Sequence, residues 1–546
     1  MDAPTFTAEK FDTYTSLSIS YQSFMIQKLS ELFEQSIARP ALYKDLELIC
    51  GAHTKQNNLL QLVNRTNFIE GQVYLGALLT HPTTDIQVLK DRQQIIQTFV
   101  THDGLRASLN SLLTEVQTHH DALLTFWGNE QPANKLYVDQ RYFTKPVLTR
   151  LNTNIAFQHF CFLNDLVMWP VIFGSPALVY TYGNGAYMQK NFPSLAKVNP
   201  LMTAYMTAFA GLAATNGLPT YIKLLNYLHE KSIGVAQLIR ALDQVEQAIN
   251  QHEALEKLTH RKVFSDYARV KTYLHPKLAK LIQLLRTNTF KGKPTFFALK
   301  GRVSAAHALI EELRPQIVPL IVALAELDAY LSCANLYVEH AHEQNKYSFA
   351  TYANPEEGYY LPEGQPYVCL INMWNPFVGS KTSVANSITL GGTLPRNVIL
   401  TGPNAGGKST FSKGVALSII LAQTVGIVPA QGLTLTPFSK INTYMNIADD
   451  TAGGNSLFKS EVLRAQELLD TITTLPKHQF SFSVMDEMFS GTSPKEGEAA
   501  GYAVAKSIGS NPHSLAIIAT HFPLLKELEK ETDYFKNYQV RVIRQI

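Results

Sequence analysis

Thr401-Gly402-Pro403-Asn404-Ala405-Gly406-Gly407-Lys408-Ser409-Thr410 follows the apolar run Asn397-Val398-Ile399-Leu400 and leads into a helical pattern that begins at Ser409. Residues 402–409 match G-x-x-x-x-G-K-[ST] without deviation. The order of strand, glycine-rich loop and helix predicts a nucleotide-binding α/β domain. Glycines let backbone N–H groups wrap phosphates, and the helix N-terminus adds its positive end. Lys408 is expected to reach the β and γ phosphates, and Ser409 to ligate magnesium. ATP and Mg2+ are therefore the expected cofactors, with Gly402, Pro403, Asn404, Ala405, Gly406, Gly407, Lys408, Ser409 and Thr410 as candidate binding residues.

Downstream, Phe480-Ser481-Phe482-Ser483-Val484-Met485 reads as a buried strand that delivers Asp486-Glu487 at its C-terminal end. Ligands of parallel α/β sheets sit at that end of the strands. Asp486 would hold the magnesium shell, and Glu487 would position or deprotonate the attacking water, with Lys408 the second catalytic candidate. A D-E pair alone is more often surface charge. A third strand, Ser514 to Ala519, ends in Thr520-His521, where the imidazole is either a satisfied polar group or a sensor of the γ-phosphate. Between them, the polar loop Asp449 to Asn455 leads into a helix at Ser456. Ser456 there is either a simple helix cap or a second phosphate contact.

Upstream of about Tyr347 the spacing predicts a mostly helical region. Leu105 to Leu124 is one such helix. Gln237 to Leu258 is another, with Leu238, Ile239, Leu242, Val245, Ile249 and Leu255 near one face. A basic stretch from His260 to Lys293 is either a phosphate contact or a solvated helix face. Around Ser348 to Pro366 the composition turns to Gly, Pro, Tyr and Glu, as in a linker. Hydrophobic residues make up 46% and charged residues 17% of the 546, which excludes a disordered chain. A net charge of +3 is too small for bulk attraction to nucleic acid, so any such contact must be local. Cys50, Cys161, Cys333 and Cys369 lie far apart, which suggests neither a zinc site nor a disulfide framework. The N-terminus lacks the basic start and apolar run of a signal peptide, and a cytoplasmic location is expected. Two uncharged stretches, Leu166–Gln189 and Val198–Ile222, are long enough for a bilayer yet carry prolines and asparagines. They read as buried helix and loop, with a membrane hairpin as the competing expectation.

With these motifs in hand, the chain resembles the MutS family of DNA mismatch-repair ATPases. Residues 401–410 look like the family's T-G-P-N-M-G-G-K-S-T, with Ala405 in place of Met. Val428-Pro429-Ala430 resembles a V-P-A stretch, and Asp449-Asp450 with Ser456-Leu457-Phe458 and Glu461 resembles D-D-x-x-x-x-x-S-T-F-x-x-E. Asp486 to Ser493 is similar to D-E-x-x-R-G-T-S with Ser490 replacing Arg, and Ala519-Thr520-His521-Phe522 matches A-T-H-[FY]. More weakly, Asn64-Arg65-Thr66, Gly71, Pro82, Asp85 and Arg92 follow the family's helical core.

The resemblance implies a multidomain chain: an N-terminal helical lead-in (1–50), a mostly α-helical core, lever and clamp region (51–347), a linker (348–366) and an α/β P-loop, ABC-type ATPase domain (367–546). It implies a Mg-dependent ATPase acting as a clamp on double-stranded DNA, mismatched or branched, in mismatch repair or a related DNA-structure-processing pathway. It further implies a homodimer through the ATPase domains, with Ser456 reaching the partner's nucleotide, and a MutL-like protein as a candidate partner. The competing expectation is a membrane-associated ATPase that uses a MutS-like motor for a non-repair task. Family members that read mismatches use an N-terminal Phe-x-Glu wedge. Residues 1–50 are too short a stretch for that domain, and Phe68-Ile69-Glu70 fits its letters only on an expected core helix. Val384 stands where the family places an adenine-stacking aromatic. The chain ends within an expected strand, Tyr538 to Ile543, ahead of the family's closing dimerisation element.

Overall fold

The computed structural model describes residues 40–49, 58–119, 142–143, 145, 147–164, 200–270, 276–293, 299–353, 364–403, 406–445, 447 and 456–541, without the side chains of 40, 200–221 and 270. The uncharged stretch 166–189, the loop residues Asp449 to Asn455, P-loop residues Asn404 and Ala405, and most of the 1–50 lead-in lie outside the described residues.

The helical region runs through α1 (Pro40–Asp45), α2 (Leu59–Val63), α3 (Ile69–Thr80), α4 (Ile86–Thr101), α5 (Asp103–Thr118), α6 (Pro200–Gln251), α7 (Arg261–Val270), α8 (Pro276–Leu285), α9 (Lys300–Glu312) and α10 (Arg314–Glu339). Its axis is α10, apolar on all sides and buried along nearly its whole length from Ile317 to Leu336, as a helix without a polar face must be. Among the described residues α10 is the single helix long and apolar enough to cross a membrane, and 94% of that apolar window is buried in protein. The second uncharged stretch is helical from Pro200 onward, as the start of α6. The Gln237 helix places Leu238, Ile239, Leu242, Val245 and Ile249 in the core and ends at Gln251, where a short 3-10 turn, Glu253–Lys257, takes over.

Two carboxylates buried on α10 serve as helix caps for its neighbours. Asp328 accepts N–H bonds from Asn67 (2.9 and 3.0 Å) and Phe68 (3.1 Å) at the start of α3. Phe68 supplies no side-chain cap of its own. Gly71 is required one turn on, because a Cβ there would sit 2.1 Å from the Asp328 carboxylate. Glu326 does the same at α7, accepting from Thr259 N and His260 N at 2.8 and 2.9 Å. These bonds answer donors that a helix start leaves unpaired. Phe68 and Glu70 are buried in this packing, which fixes them as core residues.

Within the basic stretch after His260, Arg261 pairs with Glu256, Lys277 with Glu312 and Arg286 with Asp243. His260 is buried against Glu326. Nearby, His307 stacks on Tyr142 with ring centroids 5.8 Å apart, and burial beside Lys231 pushes its imidazole down to about 3 from 6.5. Such a histidine stays neutral when folded and gains a proton on unfolding below pH 6.5, so stability falls as pH drops, by about 1.4 kcal/mol per unit until the folded value is reached. His307→Phe is expected to flatten the fall in urea-unfolding stability between pH 6 and pH 4. Parallel pH curves for the two proteins would remove His307 as the cause.

The α/β region contains β1 (Ser348–Phe349), β2 (Thr351–Tyr352), β3 (Tyr367–Met373), β4 (Asn386–Gly391), β5 (Asn397–Thr401), α11 (Lys408–Thr424), β6 (Ile427–Val428), β7 (Gly432–Leu435), β8 (Lys440–Tyr444), α12 (Leu457–Thr473), β9 (Ser481–Asp486), α13 (Pro494–Gly509), β10 (Ser514–Ala519) and β11 (Phe535–Gln539). Five parallel strands stand in the order β11-β5-β10-β9-β8, and a second sheet has the order β2-β7-β3-β4. The expected linker is corrected at its start. Ser348–Phe349 pairs with β6 and Thr351–Tyr352 with β7, because Ala350, Tyr352 and Ala353 are buried there; 354–363 lie outside the described residues. The last strand also lies earlier than Tyr538–Ile543, at Phe535–Gln539, anchored by buried Phe535 in register with Asn397.

Among the described residues, α4 and α1 each dock the helical region against the α/β region. The C-terminal end of α11 is gripped by α4: Arg92 donates to Thr424 O at 2.6 Å, and Gln93 Nε2 to Gly426 O at 2.8 Å and Ala350 O at 2.7 Å. A cation at a helix C-terminus also meets the negative end of its dipole. For its part α1 lies against β8, where buried Asp45 accepts from Thr443 Oγ1 at 2.6 Å and Arg464 Nη2 at 3.1 Å, while Glu47 pairs with Lys413 of α11 at 3.2 Å.

Candidate nucleotide site

The loop after β5 turns on glycines. Gly402 has φ +155°, and a Cβ there would lie 2.9 Å from Val540 O. Gly407, at φ +98°, caps α11 in the left-handed region, where side chains other than glycine are strained. Gly406 N donates to Pro403 O at 3.1 Å. Asn375 Nδ2 donates to Thr410 O at 2.8 Å, pinning the first turn of α11. Asn375 is a site residue that no motif letter signals. Its one sequence cue is the run Met373-Trp374-Asn375-Pro376 between two strands.

The three strands that carry the candidate residues are neighbours, since β10 lies between β5 and β9. Their C-terminal ends therefore bring Lys408, Asp486, Glu487, Thr520 and His521 to one edge. Lys408 is 5% exposed and its Nζ donates to Gly402 O at 3.1 Å and to Pro403 O at 3.4 Å. The same Nζ lies 2.9 Å from His521 Nε2, and Glu487 Oε1 is 3.2 Å from that nitrogen. Unprotonated, Nε2 accepts from Lys408; protonated, it donates to Glu487, so it serves one of them at a time. Thr520 is buried and its Oγ1 accepts from Phe522 N at 3.0 Å, fixing the turn that presents His521.

Asp486 is raised above the usual carboxylate range by burial and by Glu487, against the pull of the Ser409 hydroxyl, Lys408 and Lys413. Its Oδ1 is buried without a hydrogen-bond partner, and Ser409, exposed at the head of α11, bonds to the same carboxylate. One hydroxyl and one carboxylate with an unused oxygen suit a hard divalent cation that takes its remaining ligands from phosphate and water. Among the described residues no cluster of three His, Cys, Asp or Glu side chains competes for a metal.

Glu487 has φ +50° and Phe489 φ +57°, left-handed positions that cost a non-glycine residue of order 1–3 kcal/mol and cluster at functional sites. Glu487 N donates to Ala519 O at 3.0 Å, tying β9 to β10 at this point. A cleft of about 180 Å³ opens beside Glu487, Phe489, Thr492, His521 and Phe522. Ser456 differs from these residues in its bonding: it is exposed, and its hydroxyl caps α12 by accepting from Lys459 N at 3.4 Å. Val384 is 79% exposed. Residues 398–546 match the family model described as MutS domain V.

Proposed function

We propose that the chain is a MutS-type, ATP-dependent clamp on double-stranded DNA acting in mismatch repair or a related DNA-structure-processing pathway; the match of residues 398–546 to MutS domain V, the ATPase domain of MutS-type proteins, supports this reading. The observation that carries the ATPase part is the meeting of Lys408, Asp486, Glu487 and His521 at the ends of adjacent strands β5, β9 and β10. The DNA part rests on the family.

In this reading the backbone N–H groups of the glycine-rich loop, Pro403 excepted, and the N-terminus of α11 hold the phosphates of ATP. Lys408 leaves its loop carbonyls and His521 to meet the β and γ phosphates. Asp486 and Ser409 would hold Mg2+, which would supply positive charge against that developing on the phosphate oxygens. Glu487 orients the attacking water and accepts its proton. Once Lys408 has moved, His521 is free to bond to the γ-phosphate. Ser456, exposed at the N-terminus of α12, meets the γ-phosphate bound by a second copy, so that the working unit is a homodimer. Motion at the head of α11 reaches the helical region through Arg92, Gln93 and the Glu47–Lys413 pair, which biases the clamp between open and closed states. A cytoplasmic location and a MutL-like partner complete the proposal.

The test is steady-state ATP hydrolysis by the full chain, with and without homoduplex, mismatched and branched DNA, in Mg2+ and in EDTA. Mg-dependent turnover that DNA stimulates is the expected result, and the most stimulating DNA identifies the substrate. Turnover indifferent to every DNA would remove the clamp reading, and absence of turnover would remove the ATPase.

A further inference from the structure

Glu461 lies just past the first turn of α12, five residues after the Ser456 cap, and is 2% exposed. A carboxylate buried this deeply must have its lone pairs answered. The donors come from the loop that follows Glu487: Ser490 N at 2.9 Å, Ser490 Oγ at 3.3 Å and Gly491 N at 3.1 Å. Gly491 is needed for the approach, since a Cβ there would lie 2.7 Å from Leu457 Cγ and 3.0 Å from Glu461 Oε2. Between Glu487 and this clasp stand Met488 and Phe489, both buried, with the Phe489 ring 6.2 Å from Phe458 of α12 and 6.1 Å from Tyr444.

The short run from Glu487 to Gly491 is thus fixed at both ends. At one end Glu487 N bonds to Ala519 O of β10; at the other, α12 holds two successive N–H groups through one side chain. The left-handed backbone at Glu487 and Phe489 persists only where such surroundings over-determine it. We propose that Glu461 is a positioning residue for Glu487, and that through it the orientation of Glu487 follows the position of α12. The inference rests on the ATPase reading of the site. It adds a route within one chain: engagement of Ser456 by the nucleotide of a second copy shifts α12, and Glu461 passes that shift to the general base of its own chain.

Glu461→Gln tests it. The amide oxygen still accepts from Ser490, but the NH2 group faces Gly491 N–H, donor against donor. For the full chain, kcat is expected to fall at least about tenfold, the scale of loss that a displaced reactive group gives, while the affinity for a fluorescent ATP analogue stays within about threefold and the Tm stays near that of the wild type. Ser490→Ala, which keeps both backbone bonds, is expected to hold kcat within about twofold. Should Glu461→Gln not fold, Glu461→Asp keeps the charge, stretches the clasp and carries the same readout. A kcat unchanged in Glu461→Gln, or lost only in step with ATP affinity, would overturn the inference while wild-type turnover and an inactive Glu487→Gln variant left the ATPase reading intact. A wild type without turnover would overturn both.

Discussion

Glu487→Gln is expected to lower ATP turnover by at least about a hundredfold while ATP stays bound. Gln matches Glu in size and keeps a hydrogen-bond acceptor beside His521 Nε2, where Glu487 Oε1 now lies at 3.2 Å. What it loses is the ability to take a proton, and a positioned general base contributes roughly 10²–10⁴-fold. Lys408 and the glycines of 402–407 are untouched, so the phosphate cradle persists. Rapid-quench single-turnover hydrolysis and filter-bound ATP, measured on the same preparation, separate the two effects. Retention of more than about a fifth of wild-type turnover would assign the proton to another group; loss of binding as well would mean that Glu487 shapes the cradle and not the chemical step.

The parts of this molecule legible in the sequence are those whose information is contiguous. The loop 401–410 carries its strand, its glycines and its lysine in ten successive letters, and the strands ending at Asp486 and Ala519 are apolar runs with turn residues behind them. Their adjacency in one sheet follows from βαβ connection rules once three such units are recognised. Contacts between distant segments had no such signal. Asp45 and Arg464 are separated by 419 positions, and neither stands in a pattern that names the other. Ser348 to Tyr352 read as linker because two-residue strands leave no alternation to detect, yet their backbone groups are bonded into β6 and β7. Glu461 was visible as a letter of a resembled motif, but its bonds to Ser490 and Gly491 appear only when α12 is packed against the end of β9.

Glu326 and Asp328 were equally silent, since a carboxylate inside an apolar helix pattern reads as an interruption of the core. The structure gives the reason for their presence, and with it the largest stability effect expected. Glu326 is fully buried, and Thr259 N, His260 N and His260 Nδ1, the last at 2.6 Å, all point at it. Burial alone would raise its carboxyl, yet the bonds and charge of His260 and the bond from Thr259 outweigh that and hold it below 4.5. Glu326→Ala takes the acceptor from Thr259 N and leaves the two buried donors of His260 without one, and breaking a buried pair by removing one partner costs about 3–5 kcal/mol. A drop in Tm on the order of 10 °C is expected, whereas Glu312→Ala, which breaks the exposed pair with Lys277, should move it little. The sign with pH follows from the lowered value: the contribution is present above the unfolded carboxyl's 4.5 and disappears as pH falls through the folded value. The gap between wild type and Glu326→Ala should therefore close in acid. A gap that stayed constant from pH 7 to pH 3 would place the loss in a packing void and not in the cap that α10 lends to α7.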